Sequence, residues 1–155
     1  LTENLAETKF TRLIIKNTTE NKILGLEEFL SSFSTTTPEA FYQKLDNEAT
    51  LFIYSAKGTK RFGFIAKVQE TGLNDVMLSW EKSMEKDLES IFSALGKDKP
   101  ALVKFFKNGK YKSINLRFQT FSLKDLGIVY GFSNDNFIFT SSWESFTKVI
   151  DSSTQ

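Results

Sequence analysis

Three pairs of strand-like runs, each closed by a few turn-forming residues, constrain this chain most, because connections so short join only antiparallel strands. Residues 50–55 and 61–68 are rich in Phe, Ile, Tyr and Val and are separated by Ala56-Lys57-Gly58-Thr59-Lys60. Residues 101–106 and 111–118 flank Asn108-Gly109, the strongest short-range hairpin signal in the chain. Residues 127–132 and 136–140 are joined by Ser133-Asn134-Asp135. Alternation assigns faces: Phe62, Phe64, Ala66 and Val68 share one side, while Ile114, Leu116 and Phe118 alternate with Asn115, Arg117 and Gln119. One face of that last run is expected dry and the other wet. The fold class is α+β, an antiparallel sheet built of hairpins with a long central helix and shorter helices mainly on one face.

The long helix is expected over residues 74–95. Val76, Met77, Trp80, Met84, Leu88, Ile91, Phe92 and Leu95 recur at spacings of three and four, Asn74 stands as N-cap, and Gly96 follows as a stop. Before it, residues 10–16 alternate as a strand, residues 17–21 read as a turn, and Leu26, Phe29, Leu30 and Phe33 mark a short helix. Thr37-Pro38-Glu39 starts another, with Thr37 as cap and Pro38 in the first helical position. Near the end, Ser141 and Glu144 have capping-box spacing ahead of Phe146, Val149 and Ile150. Residues 10–151 are expected to form one domain, with residues 1–9 as a linker and residues 152–155 as a polar tail.

With neither cysteine nor histidine in 155 residues, disulfides, thiolate nucleophiles, Cys/His metal sites and imidazole bases are excluded. No cofactor is expected. The 16 phenylalanines require burial, since that much exposed ring surface would drive association. Twenty basic against nineteen acidic residues leave a charge of +1, so no global field steers the chain to nucleic acid, and an anionic partner needs a local patch.

The candidate patch is the basic run Lys97, Lys99, Lys104, Lys107, Lys110, Lys112 and Arg117, with Phe105, Phe106 and Tyr111 among the cations. Charge interleaved with aromatics suits an anionic polymer or single-stranded nucleic acid. Lysine also guards hairpin edges against edge-to-edge pairing. An anion site would use Lys104, Lys107, Lys110, Lys112 and Arg117. The helical stretch carries Asp75, Glu81, Glu85, Asp87 and Glu89, of which Glu81 and Glu85 lie one turn apart, a spacing for acid/base work or a hard cation. Docking of this acidic face on the basic hairpin would cancel both internally. Asp125, Asp135, Asp151, Tyr54, Tyr130 and Ser141-Ser142 complete the reactive inventory; capping accounts for Ser141 and turn chemistry for Asp135.

Val76-Met77-Leu78-Ser79-Trp80-Glu81-Lys82-Ser83-Met84-Glu85-Lys86-Asp87-Leu88, then Ile128-Val129-Tyr130-Gly131-Phe132, then Phe137-Ile138-Phe139-Thr140-Ser141-Ser142 with Phe146 and Ile150 carry a resemblance. The chain resembles, over most of residues 50–150, a domain recurring in membrane-anchored proteins of candidate-phylum (Patescibacteria-type) bacteria. In that family the domain follows a single transmembrane helix and lies outside the cytoplasm, which implies an anchor upstream of Leu1. No activity or catalytic residue is assigned in the family. A complete core, the lack of a catalytic constellation and this likeness together lead to the expectation of a non-enzymatic binding or assembly domain of the cell envelope, with an envelope protein or polymer as partner. The alternative is an anion or nucleic-acid binding module using the basic hairpin 97–117.

Overall fold

The structure, a computed structural model, describes residues 9–121 and 124–153. Along the chain run β1 (Lys9–Leu13), β2 (Lys16–Asn17), β3 (Lys22–Ile23), α1 (Leu26–Ser32), α2 (Glu39–Gln43), β4 (Thr50–Ala56) and β5 (Thr59–Lys67). There follow α3 (Leu73–Trp80), α4 (Met84–Asp87), α5 (Glu89–Ala94), β6 (Lys107–Tyr111), β7 (Ile114–Thr120), β8 (Gly127–Ser133), β9 (Asn136–Thr140) and α6 (Trp143–Ser153). Among the described residues seven strands form one antiparallel sheet in the order β1-β4-β5-β9-β8-β7-β6, while β2 and β3 pair as a separate small hairpin. The mixed α+β class with an antiparallel sheet is therefore as the hairpins require.

Strand alternation splits the apolar residues between two cores. On one face Phe62, Phe64, Ala66, Tyr130, Phe137 and Phe139 pack against α1 to α5 through Phe29, Phe41, Met77, Trp80, Met84 and Phe92. On the other, Phe52, Tyr54, Leu116, Val129 and Ile138 meet Phe146, Val149 and Ile150 of α6. Helices thus lie mainly, but not wholly, on one side. Because both faces are covered, Arg117 and Gln119 do not form a wet face: they turn toward the α1–α5 layer, and Gln119 is only 4% exposed.

The long helix is broken into α3, α4 and α5. The apolar stripe stays on the core side, since Met77, Trp80, Met84, Leu88, Ile91 and Phe92 are all buried. The backbone, however, turns at residues 81–83, where the Ser83 N–H donates to the Trp80 carbonyl at 3.0 Å, a tighter i−3 bond. Asp87 holds the break: its Oδ2 accepts from Trp80 Nε1 at 2.9 Å and from Ser83 Oγ at 2.6 Å. The helix also begins at Leu73 after Gly72, so Asn74 is not its cap. Gly96 does stop the last segment. It has φ of 97°, its N–H donates to the Ser93 carbonyl, and Lys97 N–H reaches Phe92 at 2.8 Å.

The hairpin expected at Asn108-Gly109 is not there. Both residues sit inside β6, paired with Arg117 and Leu116, and the turn falls at Lys112-Ser113, with Lys112 at φ of 51°. Packing on the α6 face decides the position: a Cβ on Gly109 would lie 2.8 Å from Leu116 Cδ1 and 2.9 Å from Trp143 Cζ3. The glycine makes room for an indole instead of a turn. In consequence residues 101–106 form no strand.

Smaller boundaries differ too. The strand expected over residues 10–16 ends at Leu13, and Lys16–Asn17 belongs to the small hairpin. Pro38, at ψ of 136°, is the N-cap of α2 rather than its first helical residue. Ser142, not Ser141, caps α6: Ser142 Oγ accepts from Ser145 N at 3.1 Å, while Ser141 Oγ accepts from Phe62 N at 2.8 Å across the sheet. Of the expected linker 1–9 only Lys9 is described, and it opens β1; of the expected tail 152–155, Ser152 and Ser153 complete α6 and the rest lies outside the described residues.

Candidate functional site

The five residues of the expected anion patch do not converge on one surface. Arg117 faces the α1–α5 layer and is consumed by Glu81, with Nη2 at 2.5 Å from Oε2 and Nε at 2.8 Å from Oε1. Lys112, at the β6–β7 turn, pairs with Asp151 of α6 at 2.7 Å, and Tyr111 OH donates to the same carboxylate at 2.9 Å. Hydrogen bonds from Lys112 and Tyr111 hold the Asp151 carboxyl below its ordinary pKa. Lys104 lies 4.0 Å from Glu85. Lys107 and Lys110 are exposed on the edge strand β6, at register positions opposite Phe118 and Asn115 and so on opposite faces of the sheet.

Glu81 and Glu85 do not form a carboxylate pair. Besides Arg117, Glu81 Oε1 accepts the Tyr130 hydroxyl at 2.6 Å, and Arg117 Nη1 donates to Asn108 Oδ1 at 2.7 Å. The network joins the end of α3 to β6, β7 and β8. The hydrogen bond to Glu81 holds the Arg117 guanidinium above its ordinary pKa. Burial first, then the Glu81 hydrogen bond and charge, push the Tyr130 hydroxyl far above that of a free tyrosine. A shallow concavity of about 510 Å³ opens beside it, lined by Asn74, Leu78, Asn108, Asn115 and Phe132 among others.

Glu85 instead organises the segment after α5. Its Oε1 accepts the Ala101 N–H at 2.7 Å and lies 3.4 Å from Lys97 Nζ, which also meets Glu89 at 2.6 Å. Burial opposes the Lys97 charge, but the Glu89 and Glu85 contacts outweigh it and raise its pKa. Of the basic run, Lys97, Lys104 and Arg117 thus meet Glu81, Glu85 or Glu89, and Lys112 meets Asp151 of α6, so the acidic face and the basic run cancel in part within the fold.

What this leaves outward is the loop between Lys97 and β6. Gln119 Nε2 holds the Val103 carbonyl at 3.0 Å, and Phe106 is buried near Tyr130, yet Leu102 is 90% exposed and Phe105 65%. Sequence reasoning missed this, because it placed residues 101–106 in a strand with their aromatics inward. Pro100, which ends regular pairing, was the available signal.

The other reactive candidates are scattered and occupied. Asp125 accepts from Trp143 N at 3.1 Å and Glu144 N at 2.9 Å, completing the cap of α6. Glu144 is free of any box and accepts the Tyr54 hydroxyl at 2.9 Å; burial, then Glu144, push that hydroxyl up to about 12. The Asp135 carbonyl accepts from Val68 N in the β8–β9 turn. Among the described residues no three acidic side chains gather where a metal ion would be held, and no helix is long and apolar enough to cross a membrane. No family model, curated protein or solved structure matches the chain.

Proposed function

We propose that this chain is a non-enzymatic binding or assembly domain of the cell envelope, presented by a membrane anchor upstream of Leu1, with the loop 98–106 as its working surface. The observation that carries the binding part is the outward display of Leu102 and Phe105 from a loop whose backbone is pinned at Ala101 and Val103. The envelope and the anchor rest on the family resemblance. The carboxylates that chemistry would need are spent on structure: Glu81 on Arg117 and Tyr130, Glu85 on Lys97 and Ala101, Asp87 on Trp80 and Ser83. The test is location. In cells making the full-length protein, the domain is expected in the membrane fraction and cleavable by protease added to intact cells. Protection until the cells are opened would sink the reading.

The alternative, an anion or nucleic-acid binder, has one observation in its favour: Lys107 and Lys110 have no ion-pair partner within 4.0 Å among the described residues. It expects retention on single-stranded DNA at low salt, lost when Lys104, Lys107, Lys110 and Lys112 become alanine.

A further inference from the structure

We infer that the loop 98–106 is a membrane-surface tip that places Leu102 and Phe105 in the interfacial layer of an anionic bilayer. This rests on the reading of that loop as the working surface and names what it touches. Three observations point to a lipid surface. The apolar side chains protrude: Leu102 is 90%, Phe105 65% and Val103 36% exposed, and all three fall within four consecutive residues. Cations surround them in the chain, with Lys99, Lys104 and Lys107 all exposed and Asp98 the sole acid between residues 97 and 110. The projection is built, because Glu85 holds the Ala101 N–H, Gln119 holds the Val103 carbonyl, and Phe106 is anchored in the core. Apolar tips ringed by lysine partition into the acyl boundary while their cations meet anionic headgroups.

The small hairpin offers the internal contrast. Ile14 and Ile23 are also exposed, at 66% and 62%, but Lys22 is paired with Glu28 at 3.2 Å and Glu20 lies in the turn. Its cation excess between residues 14 and 23 is one, Lys16 and Lys22 against Glu20, whereas that of residues 97–110 is four.

The experiment is co-sedimentation of the 155-residue chain with vesicles of phosphatidylcholine alone or mixed equally with phosphatidylglycerol. Binding is expected only to the mixed vesicles and is expected to weaken as salt screens the lysines. Leu102→Asp and Phe105→Asp should each lower partitioning by about tenfold or more, and Lys104→Gln or Lys107→Gln by about fivefold. Ile23→Asp should bind like wild type. Thermal melts confirm that each variant is folded. Because the chain has no cysteine, Leu102→Cys carries a single environment-sensitive dye, whose emission should rise on the mixed vesicles. Wild type remaining in the supernatant with mixed vesicles at low salt overturns the proposal, as does undiminished binding by the folded Leu102→Asp/Phe105→Asp double variant. Either result leaves the envelope reading to the protease experiment, which does not depend on the tip.

Discussion

Glu81→Gln isolates the charge that ties α3 to the far half of the sheet. The carboxylate is 12% exposed and takes two hydrogen bonds from Arg117 and one from Tyr130. Glutamine keeps the shape but offers one acceptor oxygen, and its amide turns donors toward a guanidinium or a phenol. Hydrogen bonds to charged groups contribute about 1.5–3 kcal/mol, and breaking a buried pair costs about 3–5 kcal/mol. Arg117 keeps 24% of its side chain exposed, so water replaces part of what it loses. The loss should be about 2–3 kcal/mol, or roughly 5–10 °C in Tm for a domain of this length. Urea unfolding followed by tryptophan fluorescence measures it, with an unchanged m-value as the check that both states keep their compactness. A cycle with Arg117→Met should give a coupling of about 1 kcal/mol or more. If Glu81→Gln and that coupling both fall within about 0.5 kcal/mol of zero, the network is screened by solvent and does not fix the helix.

Gly109→Ala should destabilise by about 1–3 kcal/mol, because the new methyl meets Leu116 and Trp143; urea unfolding that shows no loss would mean the indole can shift. Ser142→Ala should cost about 1 kcal/mol, and adding Asp125→Ala should cost more than the serine change alone, because the two side chains serve different N–H groups of α6; equal single and double losses in chemical denaturation would refute separate caps. Stability should fall as pH rises from about 10 toward about 12, because the unfolded tyrosine ionises near its ordinary value while native Tyr54 holds its proton to about 12. Denaturation midpoints against pH should show a shallower alkaline limb in Tyr54→Phe, and an unchanged limb would show that Tyr54 is not the group responsible.

Local patterns proved legible where the cause is local. The alternation of Phe62, Phe64 and Ala66 is a property of adjacent residues on a pleat, and it assigns the right face. The termini of helices were less legible because their partners are remote. Glu27 N at the start of α1 donates to Asn47 Oδ1 at 2.9 Å, and α6 depends on Asp125, so no window around either start contains its whole cap. Asn108-Gly109 misled for the same reason. A two-residue signal for a turn competes with a tertiary demand for empty space under Trp143, and the indole wins because a side chain there would collide with it. Residues 74–95 kept their apolar face but lost helical continuity, since periodicity states which side is buried and not whether each i−4 bond survives.

The charge pattern carries the same lesson to the surface. Five acids and seven cations, adjacent in the chain, suggested an acidic face and a basic patch, but the fold joins part of one to part of the other: Arg117 to Glu81, and Lys97 to Glu85 and Glu89. Charges that complement each other at contact distance stabilise a fold and are thereby removed from recognition. The residues left to meet a partner are those with no internal complement, and near this network they are Leu102, Phe105, Lys99 and Lys107. An apolar side chain that folding leaves 90% exposed, on a loop pinned by its backbone, keeps carbon surface that a partner surface would take out of water. On the proposed reading the surface that would cover Leu102 is anionic, because exposed lysines stand beside it in the chain and an apolar tip flanked by cations pairs carbon burial with charge attraction.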